Sequence, residues 1–222
     1  VTGVQTCALP IWLVSSVSGG GVGSLHFVDK YRNGRLAPAA LATVVEETDR
    51  SSLDEVAWGA AYPDLLRAFV PLPFRWARLD RGQALEWAWT GHDPETHGTL
   101  GAWRDDVWMG RRPATIFNAT LVDTGERLLI GTTRVGWSEH AGLQNFEDIE
   151  GQRDIAVTTA ARLSASFTYV SPAARSDRDG TDYHIVDGGY YDNFGVATAL
   201  AWLHQGLEDS GTIQHVLLIQ VR

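Results

Sequence analysis

Ser18 is the residue of this sequence whose surroundings best fit a catalytic nucleophile. It lies in SVSGG, residues 16–20, shortly after the apolar run Ile11–Val14. A serine at a sharp turn between a buried strand and a helix has the G-x-S-x-G pattern of a nucleophile elbow, here with Ser16 in place of the first glycine. Such a turn favours small residues two before and two after the nucleophile, which are Ser16 and Gly20. The pattern predicts Ser18 as the nucleophile and the backbone N–H of Gly19 as a donor to a developing oxyanion.

A serine hydroxyl needs a base that takes its proton, and the best candidate is Asp187. The stretch HIVDGGYYDNFG, residues 184–195, has the pattern of a short apolar strand that ends on Asp187, Gly188 and Gly189. Asp-Gly-Gly alone is also an ordinary turn. Its combination with the serine turn earlier in the chain is what makes Asp187 a candidate base. The two stretches together predict acyl transfer, in which Ser18 attacks an ester carbonyl, Asp187 accepts the proton and water cleaves the acyl-enzyme.

Other uses of a glycine-rich turn fit the sequence less well. The dinucleotide-binding pattern G-x-G-x-x-G fails because, counted from Gly19, the third glycine position holds Ser24. A Walker-type phosphate loop needs a lysine directly after its last glycine, and the only lysine of the chain is Lys30. A turn whose glycines have a purely structural role remains open.

The motifs, in this order, resemble those of the patatin-like phospholipase family, particularly its bacterial members. SVSGG is similar to the family's serine elbow, and VDGGYYDNFG is similar to its Asp-Gly-Gly block and the helix after it. RRPATIFNATLVDTGERL resembles the central hairpin, LSASFTYVSPAAR the helix and proline turn before the aspartate, and DRGQALEWAW a helix of some bacterial members. The resemblance covers most of the chain from Leu13 onward.

The resemblance implies a lipid acyl hydrolase that works through a Ser–Asp dyad without histidine or cofactor. Carried over to this sequence, Ser18 is the nucleophile and Asp187 its general base, while Gly188 and Gly189 let the carboxylate approach the serine closely. The implied substrate is a lipid or another carboxylic ester, and the implied partner is a membrane or micelle surface. The protein is then expected in the cytoplasm or peripherally on a membrane.

The family also carries a glycine-rich oxyanion loop upstream of the elbow, where this sequence has only VTGVQTCALPI. That opening resembles a translated sequencing-adapter remnant, so we expect residues 1–11 to be non-native. Residues 12–222 are then expected to form one partial acyl-hydrolase domain, incomplete at both ends because the chain also stops on the strand-like VLLIQVR.

Two alternatives to an active Ser–Asp hydrolase stay open at this point. The first is a non-catalytic or inactive patatin-like fragment that binds lipid or a protein partner. The second is an α/β-hydrolase-type esterase with the chain order Ser…Asp…His, which would recruit His204 or His215.

Composition restricts the remaining classes. Lys and Arg together number 18 against 27 Asp and Glu, a net charge of −9, which argues against nucleic-acid binding because phosphate contacts need a basic face. The single cysteine, Cys7, excludes an internal disulfide, and no histidine pair has HExxH spacing, so no metal site is predicted. No apolar run approaches the ~20 residues of a membrane-spanning helix. Nine tryptophans suit a packed core or a lipid-facing surface.

The elements that must position these residues alternate between strands and helices. This pattern predicts an α/β fold with three layers, in which helices flank a largely parallel central sheet. The predicted strands are 11–17, 114–122, 127–133, 184–186 and 214–221, with a hairpin at the DTGE turn. The predicted helices are 23–31, 36–48, 81–90, 154–166 and 193–207, the last capped by Asp192 or Asn193. Residues 54–78 are expected to form short helical pieces broken by prolines, and residues 91–112 a polar connection.

Overall fold

The computed structural model describes residues 11–64, 69, 81–93, 95–136, 142–151, 153–167, 174–175, 183–209 and 213–221. The predicted remnant thus lies, except for Ile11, outside the described residues, as do Pro71 and Pro73. The strands are β1 (Leu13–Val17), β2 (Ala114–Leu121), β3 (Arg127–Gly131), β4 (Leu143–Asn145), β5 (Ala174–Arg175) and β6 (His184–Asp187). The helices are α1 (Gly19–Lys30), α2 (Pro38–Asp49), α3 (Leu53–Gly59), α4 (Arg81–Thr90), α5 (Leu100–Trp108), α6 (Phe146–Glu150), α7 (Val157–Ser164) and α8 (Val196–Asp209). A π-helical turn at Ala60–Asp64 extends α3, and a 3₁₀ turn at Gly188–Tyr190 follows β6.

The β2 strand organises the sheet. One of its edges pairs with β3, and the other pairs with β1 along its first half and with β6 along its second half. The strands β1 and β6 therefore lie end to end against the same neighbour. The α/β class is confirmed, while the pairings are mixed: β1–β2 and β3–β4 are parallel, and β2–β3, β2–β6 and β5–β6 are antiparallel. The prediction of a largely parallel sheet thus holds for two of the five pairings. Two of the antiparallel pairings, β2–β3 and β5–β6, join consecutive strands, and β2–β6 joins strands that are distant in the sequence.

Helices cover both faces of the sheet because successive side chains of a strand point to opposite faces. On one face, Phe117 and Ala119 of β2 pack in a large apolar core with α1, α5, α6 and α7. On the other face, Ile116 packs in a smaller core with Ala201 and Trp202 of α8. All eight side chains of β2 are buried, as expected for a strand enclosed by both helical layers.

The predicted positions of β1, the β2–β3 hairpin, α2, α4, α7, β6 and α8 are confirmed to within a few residues. Asp192 is the residue that caps α8, since its carboxylate accepts hydrogen bonds from the backbone N–H of Phe194 (3.0 Å) and Ala197 (2.9 Å). The first helix begins at Gly19 rather than Gly23, directly after Ser18. This start was not predicted because the first residues of α1 are mostly glycine, which has low intrinsic helix propensity.

Two sequence-based predictions are wrong. The polar connection at 91–112 contains α5, a helix whose N-terminus is capped by Thr99 through the backbone N–H of Ala102 (3.3 Å). Residues 214–221, expected as a strand, belong to no helix or strand and expose Leu217 and Ile219 by 67% and 73%. An apolar run becomes a strand only where a neighbouring strand supplies hydrogen-bond partners, and none of the described strands pairs with it.

Candidate active site

Ser18 occupies the single residue between β1 and α1, and its backbone is strained. Its φ of 55° and ψ of −131° lie in a region that residues with a side chain rarely adopt. Such a conformation costs about 1–3 kcal/mol and persists only where the surrounding structure enforces it. The enforcing contacts here are hydrogen bonds from Ser18 N–H to the Ser164 carbonyl (3.2 Å) and from Gly21 N–H to the Ser18 carbonyl (2.8 Å).

The hydroxyl of Ser18 is not used to cap the helix it precedes. A serine at this position ordinarily accepts a hydrogen bond from an N–H of the first helical turn, yet Ser18 makes no such side-chain bond. The side chain is half-buried, and Gly19 and Gly20 next to it are exposed. The first N–H groups of α1 lack partners within the helix, so Gly19 offers its N–H beside the hydroxyl.

The register of β2 brings Asp187 to the same point of the sheet. Val17, the last residue of β1, pairs with Asn118, and Asp187, the last residue of β6, pairs with the adjacent Ala119. Because β1 runs parallel and β6 antiparallel to β2, their carboxyl ends meet. At the junction a Cβ added to Gly188 would lie 2.2 Å from the Asn118 carbonyl oxygen and 3.2 Å from Cγ1 of Val17, so only glycine permits this approach.

The carboxylate of Asp187 is buried and half satisfied. The side chain is 4% exposed, and Oδ1 accepts the backbone N–H of Gly189 at 2.7 Å. Oδ2 is buried as well, and within the described part of the chain no donor reaches it. The Asp187 backbone N–H donates to the Ser166 carbonyl (3.0 Å). A buried carboxylate oxygen without a donor is costly, and it is the atom that could accept a proton from a nearby hydroxyl.

The end of α7 supports the two loops that carry Ser18 and Asp187. This role of α7 was not predicted from the sequence. Ser164 receives the N–H of Ser18, Ser166 receives the N–H of Asp187, and the Ser164 hydroxyl donates to the Asn118 carbonyl (2.6 Å). A Cβ at Gly21 would lie 3.4 Å from Ser164 Oγ, so α1 passes close to this helix end. The small residues of LSAS, residues 163–166, were the sequence feature that could have indicated such a close contact.

Asn118 of β2 was missed as well, although it lies at the centre of the polar contacts. Its amide donates to Ser15 Oγ (3.0 Å) and to the Ser16 carbonyl (2.9 Å), and its oxygen accepts the Thr198 hydroxyl of α8 (2.5 Å). A polar residue in the middle of the apolar run ATIFNATL was the available signal. Asn118 thereby joins β1, β2 and α8 just below the turn that carries Ser18.

The supporting residues predicted from sequence differ in how far the structure explains them. Ser16 is buried, with its hydroxyl 3.4 Å from the Ile116 carbonyl, so a larger side chain has no room. The expectation that crowding requires a small residue at Gly20 is wrong, because an added Cβ would meet nothing within 4 Å there or at Gly19. The crowded position of this turn is Gly21. A Cβ at Gly189 would lie 2.9 Å from Asp187 Oδ1.

The histidines considered for a triad lie in other surroundings. His204 is on α8 with its side chain 76% exposed, and Nδ1 lies 3.5 Å from Oε1 of Glu208 one turn along. His215 belongs to the exposed segment 213–221. The structure thus gives an exposed helix position to one candidate and an exposed, unpaired segment to the other.

In the described ranges, no cluster of three or more His, Cys, Asp and Glu side chains is arranged to hold a metal ion. None of the helices seen there combines the length and apolar character needed to cross a bilayer. Comparison of the chain with protein-family models, curated proteins and solved structures finds no match.

Proposed function

We propose that this protein is a serine acyl hydrolase acting on lipid or other carboxylic esters, with Ser18 as nucleophile and Asp187 as general base. The observation that carries the proposal is the strained backbone of Ser18, whose hydroxyl makes no hydrogen bond to the helix that follows. Ser18 follows β1 at the point of the sheet where β6 ends on Asp187. A strained backbone together with a hydroxyl that does not cap the helix is not expected of a serine with a purely structural role. The resemblance of the SVSGG and DGG motifs to patatin-like phospholipases supports the same assignment.

In the proposed reaction, Ser18 Oγ attacks the ester carbonyl carbon while its proton passes to Asp187 Oδ2. The oxyanion that forms is stabilised by the N–H of Gly19 at the positive end of α1. The C–O bond then breaks, the proton returns from Asp187 to the leaving alkoxide, and the acyl group stays on Ser18. Water activated by the same carboxylate hydrolyses this ester and restores the serine.

The surface beside the dyad suits an apolar acyl group. Phe167 follows the residue that anchors Asp187, and Tyr190 follows Gly189; their rings stack at 6.1 Å with 8° between the planes. The two rings are 48% and 57% exposed, so they offer an aromatic surface to solvent within a few residues of Asp187 and its anchor. An exposed apolar surface next to a polar reacting centre is what a lipid ester needs.

A fluorophosphonate probe tests the nucleophile directly because it forms a stable bond with an activated serine. We expect covalent labelling of the wild type, located by peptide mass spectrometry at Ser18, and none in Ser18→Ala. Ser24→Ala, a serine change on α1 at six residues from Ser18, is the matched control and should label like the wild type. Labelling that persists in Ser18→Ala, or that is absent from the wild type, would overturn the assignment in favour of a non-catalytic lipid-binding protein.

A further inference from the structure

A cavity of about 310 Å³ lies between α3 and α4 and shares no residue with the Ser18–Asp187 site. Its lining consists of aromatic rings, two carboxylates and one small residue: Asp54, Glu55, Trp58, Ala84, Trp87 and His92. None of these side chains carries a permanent positive charge. The cavity therefore combines aromatic walls with two negative charges, which is a chemical match for an organic cation.

The spacing of the residues explains how the two helices build this cavity. Glu55 and Trp58 are three residues apart on α3, and Ala84 and Trp87 are three apart on α4, so each pair faces the same side of its helix. The helices touch at Gly59, where an added Cβ would lie 2.9 Å from Cα of Arg81. Ala84 belongs to the same contact, since its Cβ would lie 3.1 Å from that added atom, and it also lines the cavity beside the two indoles.

The aromatic rings form a continuous row. Ring centroids are 5.9 Å apart between Tyr62 and Trp58, 6.2 Å between Trp58 and Trp87, and 6.0 Å between Trp87 and His92. The rings are tilted by 36–47° to one another rather than stacked flat, and both indoles line the cavity. A cation within about 6 Å of an indole centroid is attracted by the negative face of the ring.

Glu55 supplies a second, independent indication of a ligand. Its Oε2 atom is buried, and among the described residues no hydrogen-bond donor reaches it. Asp54 and Glu55 both lie in the first turn of α3, where acidic residues favourably meet the helix dipole. That location accounts for their charge but not for a buried carboxylate oxygen without a partner, which a bound cation would compensate.

We propose that this cavity binds a quaternary ammonium group of the choline type. A methylated ammonium has no N–H groups to satisfy, so aromatic faces can surround it without loss of hydrogen bonds, and its charge faces Glu55 and Asp54. A primary ammonium is more strongly hydrated and gains less from indole walls. The inference concerns binding alone and does not depend on Ser18 being catalytic.

Isothermal titration calorimetry with choline chloride tests the proposal. We expect saturable binding to the wild type, weaker binding of ethanolamine, and none of 3,3-dimethylbutan-1-ol, the uncharged isostere of choline. Trp58→Leu and Glu55→Gln should each weaken choline binding about tenfold or more. Both residues are partly exposed, so the variants should fold, and matching far-ultraviolet circular dichroism checks this. Trp108→Leu, a change at an 85% exposed tryptophan outside the cavity, should leave choline binding within twofold.

Three results would overturn the proposal: no saturable binding of choline to the wild type, equal binding of the neutral isostere, or equal losses in Trp58→Leu and Trp108→Leu. Co-sedimentation with phosphatidylcholine and phosphatidylglycerol vesicles then identifies the source of the group. Preference for phosphatidylcholine that Trp58→Leu removes indicates a lipid head group, and choline binding without this preference indicates a free amine. Ser18→Ala should keep choline binding, which separates this site from the proposed hydrolysis.

Discussion

At the scale of single residues, Ser18 differs from an ordinary helix-capping serine in two measurable ways. Its φ of 55° is one that residues with a side chain avoid, and its hydroxyl makes no bond to the helix that follows. Either feature alone has structural explanations. Together they mean that the fold holds Ser18 in a costly conformation without a bond from its hydroxyl to α1, as expected if Ser18 is the proposed nucleophile.

The strain predicts a trade between stability and activity at this residue. Glycine adopts φ of 55° without a steric penalty, so Ser18→Gly should be more stable than Ser18→Ala by about 1 kcal/mol after the entropy of glycine is counted. Urea denaturation of the two variants measures the difference, with wild type as the reference. Equal stability of the glycine and alanine variants would show that the turn is unstrained.

The buried carboxylate predicts which residue acts as the base. Asp187→Asn keeps the shape of the side chain but loses proton affinity, so we expect ester hydrolysis to fall by about 10²–10⁴-fold. His204→Ala should change the rate by less than twofold, since that imidazole is exposed beside Glu208. Initial rates with a chromogenic ester provide the measurement. A large loss in the His204 variant, with a mild one in the Asp187 variant, would favour a histidine-dependent triad.

At the scale of elements, β2 is the part that assembles the candidate site. It pairs with β1 through Asn118 and with β6 from Ala119, and two strands that end at neighbouring residues deliver Ser18 and Asp187 to one place. The amide of Asn118 ties the end of β1 to α8 across the same junction. The end of α7 holds both loops from the other face, so five elements fix the geometry: β1, β2, β6, α7 and α8.

Two glycine substitutions, one at this junction and one on α8, should have opposite effects on stability. Gly188→Ala would drive a Cβ to 2.2 Å from the Asn118 carbonyl oxygen, and we expect a loss of about 3 kcal/mol in the free energy of unfolding. Gly206→Ala on α8 meets no atom within 4 Å and should instead add about 0.5–1 kcal/mol through helix propensity. Chemical denaturation tests both. A neutral Gly188→Ala would mean that β6 and β2 do not approach this closely.

At the scale of the whole molecule, a partly buried group of acidic and basic side chains connects α1 to α2 and to the segment that precedes α5. His26 Nδ1 lies 3.2 Å from Glu47 Oε2 of α2, and His97 Nδ1 lies 3.3 Å from Asp29 Oδ2. The rings of His26 and His97 meet edge to face at 5.3 Å. Nζ of Lys30 lies 2.9 Å from Oδ2 of Asp29, so each acidic side chain of the group lies next to a basic one.

These surroundings move two pKa values in ways that set the response to acid. Burial lowers the pKa of His26 below its ordinary 6.5, and His97 lowers it further while Glu47 opposes the shift. Burial alone would raise the pKa of Asp29, but His97 and Lys30 outweigh it and hold that pKa well below its ordinary range. In both groups the unfolded chain binds protons more readily than the folded protein does.

Stability should therefore fall in two stages as the pH falls. His26 contributes a loss that begins as the pH drops below about 6.5, where the unfolded state takes up the proton first, and Asp29 contributes a second below about 4. Melting temperatures measured from pH 8 to pH 3 follow both stages. His26→Gln should flatten the slope between pH 7.5 and pH 5.5 relative to the wild type. An unchanged slope in this variant would exclude His26 as its origin.

The amino-acid sequence by itself determined the local structure around the candidate site. Apolar runs with β-branched residues gave β1, β2 and β6, the DTGE turn gave the hairpin, and Asp192 gave the cap of α8, since each depends on neighbours along the chain. The α5 helix was not predicted because its stretch is polar and contains several glycines. The strand predicted at 214–221 was wrong because strand pairing is not a local property.

Only the tertiary structure decided that Ser18 and Asp187, 169 residues apart, lie at one junction. Two strands share one edge of β2 with opposite directions, and no pattern in either strand encodes that register. The same holds for the cavity between α3 and α4, whose two tryptophans line one space only because the two helices touch at a glycine. Sequence specifies which groups can do chemistry, whereas packing decides which of them meet, because contacts between distant segments depend on the free energy of the whole fold.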